Sequence, residues 1–319
     1  MTVRVAVVGG GANSEHDVSL ATADGVQRAL AETHDVDRLD LDLAGRWCER
    51  DGTPVATAVA MARLADCDVL FPLVHGPHGE DGTLAGLATM LGLACVGSGV
   101  AAGAVAMDKW VTKLVAAELG VAVAPARLLV RGAEHPWREP AVVKPVVGGS
   151  SQGVSPARCP EEWEPALAEA FRHDTRVLAE EILVGREIDV AVLKRADGTL
   201  LVSPPLEIDV AGFFDYEAKY DGGARFVVPA PLPPARLTEL EELARRLFTG
   251  LGCAGVARVD FFLTEAGFVL NEINTVPGMT PQSQVPRMFA AAGLSYPALV
   301  EELVSAALVA DRRPEAATR

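Results

Sequence analysis

The chain has 319 residues, half of them hydrophobic, with 43 acidic against 28 basic side chains and a net charge of −15. That length suits two or three domains around a large core, and an acidic chain without a Lys/Arg cluster excludes nucleic acid and anionic membrane as partners. No apolar run reaches transmembrane length and the opening Met1–Val8 lacks a secretory pattern; the five cysteines, odd in number and without a C-x-x-C pair, read as reduced thiols of a cytoplasmic protein.

In chain order, a strand over 3–8 passes through Gly9-Gly10-Gly11 into a helix near Val18, with Asp17 as its cap. A short strand at 38–43, a helix at 55–64 and a buried strand at 69–73 follow, then the loop His75-Gly76-Pro77-His78-Gly79-Glu80-Asp81-Gly82. This is βαβ organisation around a parallel sheet. From Gly97 the pattern predicts an amphipathic helix over 109–119 stopped by Gly120, a strand over 141–147, a helix over 161–171 and a strand over 176–180. Strands at 188–193 and 200–208, a long helix at 235–250, a hairpin of 257–262 with 268–274, and a helix at 297–309 complete the chain, with a disordered tail from Asp311.

The hairpin carries the most specific chemistry. A three-residue Glu265-Ala266-Gly267 loop pairs Thr264 with Phe268, which sets Asp260 opposite Glu272 and Arg258 opposite Asn274. Facing carboxylates repel unless a cation lies between them, and an all-oxygen set suits Mg²⁺. Arg258 beside Asp260 also fits a plain salt bridge across the hairpin. The Gly148-Gly149-Ser150-Ser151-Gln152-Gly153 loop follows a strand bearing Lys144, and such loops wrap phosphates, although this one lacks the P-loop spacing. Only five lysines occur (109, 113, 144, 194, 219), so each retained lysine invites a phosphate role; Lys113 and Lys194 read as ordinary surface charges.

Two other constellations admit different chemistry. Gly9–Ser14 has features of a dinucleotide fingerprint with Asp40 or Asp42 as the ribose acid, which supports an NAD-dependent dehydrogenase as a rival. Its third glycine position holds Ser14, however, and the acid falls later than the usual ~20 residues. His75 and His78 with Glu80 and Asp81 read as a tight turn with polar contacts rather than a transition-metal site. The aromatic loop Phe213–Gly223 reads as a lid or as a hydrophobic anchor.

Together these segments resemble the D-alanine–D-alanine ligases of the ATP-grasp superfamily over nearly the whole chain. The family's pieces occur in order. Gly9–Gly11 with Ser14-Glu15-His16-Asp17-Val18-Ser19 comes first, then His75-Gly76 with Gly79–Thr83, Met107-Asp108-Lys109, Lys144-Pro145 and Gly149-Ser150-Ser151 with Gly153-Val154. Glu180 through Glu187, Asp215–Tyr220, Arg258-Val259-Asp260 and Asn271–Asn274 with Pro277–Thr280 follow. The resemblance implies an α/β, three-domain ATP-grasp ligase: an N-terminal parallel-sheet domain over 1–97, a central lobe over 98–187, and a C-terminal lobe over 188–319 with the metal site and lid, the two lobes clamping ATP. It implies that ATP phosphorylates one D-alanine and that a second attacks the acyl phosphate, for peptidoglycan precursors, in a cytoplasmic homodimer.

The resemblance also implies roles. Asp260, Glu272 and Asn274 would hold two Mg²⁺ ions, with Mn²⁺ able to serve in their place. Lys109, Lys144, Lys219 and Ser151 would contact phosphates, Glu180 and Glu187 the adenine amine and ribose, and Leu183 and Phe213 the base. Glu15 would hold the first D-alanine's ammonium, with Val18 and His75 beside it. Arg258 and the Gly278 N–H would form an oxyanion hole, and Ser283 would bind the acceptor's carboxylate. Ser150, bonded to Tyr220 and Glu15, would tie the lid to the N-terminal domain. The chain departs from the family at Gln284, where a hydrophobic residue usually lines the acceptor pocket. That motivates an alternative ligase joining D-alanine to another D-amino acid. Ile182 replaces a larger residue beside the adenine, and the Lys219-Tyr220 pair argues against a depsipeptide product.

Overall fold

The computed structural model of the protein describes residues 2–209 and 225–311. The expected lid, with Phe213, Lys219 and Tyr220, and the tail beyond Asp311 lie outside the described residues.

The first sheet is built from β1 (Arg4–Gly10), β2 (Asp35–Leu41), β3 (Trp47–Cys48), β4 (Val69–Pro72) and β5 (Ala94–Cys95), in the order β3-β2-β1-β4-β5. β1 is buried along nearly its whole length, as a central strand covered on both faces must be, and it runs parallel to both β2 and β4. Helices α1 (His16–Leu30), α2 (Thr57–Ala65) and α3 (Thr83–Leu91) provide the crossovers. Because the chain leaves β1 toward β2 and returns on the other side at β4, the strand order reverses beside β1. The loops after β1 and β4 therefore open a crevice at their carboxyl ends, where Glu15 and His75 sit.

Next come α4 (Val100–Met107), α5 (Lys109–Glu118), β6 (Ala126–Val130), β7 (Ala141–Pro145), β8 (Ser155–Ala157), α6 (Pro160–His173) and β9 (Arg176–Glu180). The strands form an antiparallel sheet ordered β6-β9-β7-β8, with Trp163 of α6 fully buried against it. The third sheet comprises β10 (Arg186–Lys194), β11 (Leu200–Val202), β12 (Leu206–Asp209), β13 (Arg225–Val227), β14 (Val256–Thr264) and β15 (Gly267–Asn274). Its main path is β13-β12-β10-β14-β15, and β11 pairs with β10. The helix α7 (Pro234–Gly250) backs this sheet, and α8 (Gln284–Ala291) and α9 (Tyr296–Ala310) end the described chain. Among the described residues no single helix is long and apolar enough to cross a membrane, and all five cysteines are free.

Several boundaries differ from expectation for physical reasons. α1 begins at His16, so Asp17 lies in its first turn rather than at its cap. The expected strand over 200–208 is two strands, since Pro204 and Pro205 lack the N–H donors to continue a ladder. The hairpin loop is the two-residue Glu265-Ala266, with Thr264 opposite Gly267. An irregularity after Asp260 leaves Asn271 as an extra residue, and this offsets the shorter loop so that Asp260 still faces Glu272 and Arg258 still faces Asn274.

The core ignores chain order. Val5, Val7 and Phe71 of the first sheet pack in one cluster with Ala191 and Leu193 of the third sheet and with Met288, Phe289 and Leu303 of the last helices. Gly25 on α1 allows this approach, since a Cβ there would come 2.9 Å from the Tyr296 hydroxyl, which itself donates to the Met279 carbonyl. Phe289 is fully buried at this junction. Phe289→Ala is expected to lower unfolding free energy by about 3–5 kcal/mol in urea titrations, from lost transfer energy and an unfilled cavity.

Candidate functional site

Two cavities meet in the cleft between the sheets. The first, of about 330 Å³, takes walls from Glu15, His75, Arg258, Asp260, Asn274 and Ser283. The second, of about 460 Å³, takes walls from Lys144, Ser151, Glu180, Leu183, Phe262 and Leu270. Lys109, Gly148, Gly149, Glu187 and Glu272 border both, so they form the partition between the two spaces.

Two sheet pairings among three strands build the polar side of the first cavity. Asp189 on β10 lies opposite Asp260 on β14, which lies opposite Glu272 on β15, so three acids stand in one row across the sheet. Arg258, two residues before Asp260 and therefore on the same face, answers them. Its Nε and Nη2 donate to the two Asp260 carboxylate oxygens, each at 2.7 Å, and its Nε lies 3.7 Å from Asp189. This is a pair within one strand rather than across the hairpin. Burial disfavours the Arg258 charge, but Asp260, Asp189 and Glu272 outweigh it and raise its pKa. Asn274 donates to Asp260 at 3.1 Å, and Lys109 Nζ lies 3.6 Å from Glu272 while donating to the Gly148 carbonyl at 2.5 Å.

The glycine loop crosses the partition in a strained form. Ser150 and Ser151 adopt φ of 51° and 56°, left-handed conformations uncommon for residues with a Cβ. The Ser150 hydroxyl donates to Glu15 at 2.6 Å, and a Cβ on Gly149 would come within 2.7 Å of the same carboxylate. Ser150 thus lines the first cavity and Ser151 the second.

His75 is buried beneath Glu15. Its Nδ1 donates to the Val276 carbonyl at 2.8 Å, so Nε2 of the neutral ring accepts from Thr22 at 3.0 Å, and Glu80 lies 3.8 Å away. Val18 also lines this cavity. At the far end Ser283 stands just before α8 and accepts from the Thr280 N–H at 3.1 Å; a Cβ on Gly278 would lie 3.1 Å from its hydroxyl. Gln284 faces the same cavity and donates through Nε2 to Asp189 at 3.0 Å.

In the second cavity Glu180 is buried between Lys113 and Lys144, with ion-pair distances of 2.9 and 2.6 Å. Its pKa stays low, because the two ammonium groups outweigh the penalty of burial. Lys113 is therefore no surface charge. It is only 6% exposed, and burial lowers its pKa. Lys194 is exposed as expected.

The described site residues named from the sequence all line one cavity or the other. Asp189, Glu80 and Lys113 were not among them. Asp189 had a signal, the Glu187-Ile188-Asp189 alternation that puts two acids on one face of an otherwise apolar strand. The dinucleotide reading finds no support. Asp40 is buried 2.6 Å from the Arg38 Nε, and Asp42 folds back onto Arg46.

A family model described as D-ala D-ala ligase N-terminus matches residues 4–98, and one described as D-ala D-ala ligase C-terminus matches residues 127–305. The chain belongs to the D-alanine–D-alanine ligase family. A D-alanine–D-alanine ligase of Kineococcus radiotolerans is 40% identical over 98% of this chain and 97% of its own length. Among solved structures, the VanG D-Ala:D-Ser ligase from Enterococcus faecalis superposes with a TM-score of 0.83 at 30% identity, over 96% of this chain and all of its own. The D-alanine–D-alanine ligase from Bacillus anthracis complexed with ATP gives 0.81 at 26% identity, over 98% and 99%. The ATP-grasp architecture expected from the sequence is thus the observed one.

The His75–Glu80 pair gives this family member's site a pH signature. Burial opposes charge on His75, but Glu80, Glu15 and the Val276 carbonyl outweigh it and raise its pKa. Burial raises that of Glu80 too, with Glu15 and Glu272 adding to it against His75. Both groups hold protons more tightly when folded, so their contribution to stability is present below their unfolded pKa values and lost as pH rises through the folded ones. Urea midpoints taken from about pH 5 to about pH 8 should fall more steeply for the native protein than for His75→Asn/Glu80→Gln. A constant difference would show that the pair does not titrate.

Proposed function

We propose that the protein joins two D-alanines at the expense of ATP, giving D-alanyl-D-alanine, ADP and phosphate for peptidoglycan precursor synthesis. The observation that carries this reading is the partitioned cleft. One space has apolar walls at Leu183, Phe262 and Leu270 together with Lys144 and Glu180, as a nucleotide needs. The other is lined by single polar groups sized for amino acids. A phosphoryl group passing from one to the other would cross at Lys109 and Glu272.

In the first compartment Glu15 would bind the ammonium of the first D-alanine, with His75 and Val18 beside it. Ser150, already bonded to Glu15, would couple its position to the glycine loop. In the nucleotide compartment Lys144, Lys109 and Ser151 would bind phosphate oxygens. Glu180 and Glu187 would accept from the adenine amine and ribose hydroxyls. Glu180 lines this compartment while Lys113 and Lys144 hold its carboxylate at 2.9 and 2.6 Å, which fixes its place beside the base. The first D-alanine carboxylate would attack the γ-phosphorus, and the amine of the second would attack the resulting acyl phosphate. Arg258 and the Gly278 N–H would stabilise the oxyanion, Ser283 would hold the acceptor's carboxylate, and phosphate would leave.

The donor set also fits magnesium. Among the described residues no cluster of three His, Cys, Asp or Glu side chains forms a metal cage, whereas Asp260, Glu272 and Asn274 offer oxygens that phosphates would complete. These residues would hold two Mg²⁺ ions, or Mn²⁺, whose bound charge offsets that of the β- and γ-phosphates during transfer. Exclusion of water from the acyl phosphate is the part expected of the lid, which lies outside the described residues. A cytoplasmic homodimer completes the proposal.

Glu272→Gln is expected to abolish ADP release while leaving the urea midpoint within error of the native value; retained turnover would remove the metal assignment. A second reading rests on Gln284. Its amide nitrogen is committed to Asp189, which leaves its carbonyl oxygen as the accepting group in the acceptor compartment. An acceptor with a hydroxyl would suit that group. Given ATP with equal D-alanine and D-serine, the mass of the dipeptide decides: D-alanyl-D-alanine supports the first reading, D-alanyl-D-serine the second.

A further inference from the structure

Lys113 lines neither compartment, yet it is buried behind the nucleotide space. It stands one helical turn after Lys109 on α5. Its ammonium donates to the Ala124 carbonyl at 3.2 Å and lies 2.9 Å from Glu180 Oε1, while Lys144 lies 2.6 Å from Glu180 Oε2. Lys113, Glu180 and Lys144 are each only 6% exposed. A single lysine would neutralise Glu180, and burying a second ammonium is unfavourable unless it serves something. One carboxylate between two ammoniums leaves one net positive charge at the floor of the cavity. Lys144 and Glu180 present that charge to the cavity, and Lys113 sits behind them. Lys144 is also 3.4 Å from Asn271 Oδ1, on the extra residue of β15 that lines the same cavity.

We infer that Lys113 is a positioning residue for nucleotide binding. By sharing Glu180 it keeps Lys144 from being neutralised and preserves a buried positive charge for a nucleoside di- or triphosphate. The inference rests on the reading of this cavity as the nucleotide compartment. In a Lys113→Met variant, Glu180 and Lys144 form a neutral pair, and the cavity loses attraction for phosphates but not for the nucleoside. In Lys113→Met/Glu180→Gln the net charge returns to one, carried by Lys144 alone.

Calorimetric titration with ADP and Mg²⁺, and separately with adenosine, tests this in the native protein and both variants. The readout is the ratio of ADP to adenosine affinity, which a merely structural role for Lys113 would not move. The ratio should fall roughly tenfold in Lys113→Met and recover to within about threefold of native in the double variant. An unchanged ratio in Lys113→Met, or a double variant that stays low, overturns the inference. If Lys113→Met does not fold, Lys113→Gln, which can still donate to Glu180 and to the Ala124 carbonyl without a charge, decides in its place: a fallen ratio supports the inference and an unchanged one overturns it. A native protein that binds adenosine but not ADP, or neither, overturns the nucleotide reading itself and is distinguishable from failure at Lys113.

Discussion

Three acids in one row across adjacent strands are the constraint on which the site turns. Asp189, Asp260 and Glu272 face one another across β10, β14 and β15, and like charges in such positions destabilise a sheet. The row persists because cations are brought to its middle and to one end. Arg258 is held in a fork on Asp260, and Lys109 reaches Glu272 from a helix outside the sheet. Arg258 lines the first compartment alone, and Lys109 stands on its boundary with the second.

The second cavity uses charge differently. At its floor two cations flank one acid, with Lys113 and Lys144 on either side of Glu180. The acidic row suits metal-bound phosphate, and the basic triad suits phosphate directly. Glu272 at the end of the row borders both spaces, so the row and the triad lie on either side of one partition. The left-handed Ser150 and Ser151 mark that boundary in the backbone, with successive side chains turned into the two spaces.

Much of this was legible before any coordinates. The βαβ opening, the hairpin facing of Asp260 and Glu272, and the glycine loop followed from periodicity and turn chemistry. The hairpin is instructive because its key pairing rested on a loop one residue too long. Asn271 supplies a compensating bulge, and no local propensity at that position announces one. Lys113 was misread because a lysine on an amphipathic helix is normally solvated; only the tertiary placement of Glu180 makes its burial tolerable. Two-residue strands such as β3 and β5 carry too little pattern to detect. α8 did carry a start signal, Ser283 with Pro286 in the first turn, although its eight residues give the period little room. The near-uniform apolar run of α4 hides any helical face.

The interleaved core bears on how the chain is made. One flank of the first sheet is covered by Met288, Phe289, Val300 and Leu303, which emerge from a ribosome about 200 residues after β5. At typical elongation rates that is roughly ten to forty seconds during which the nascent N-terminal sheet carries an uncovered apolar face. The third sheet must form in the interval and then deliver the last helices back to the beginning. Completion of folding is therefore tied to completion of synthesis, and a stalled or truncated chain would expose the surface that chaperones and proteases recognise.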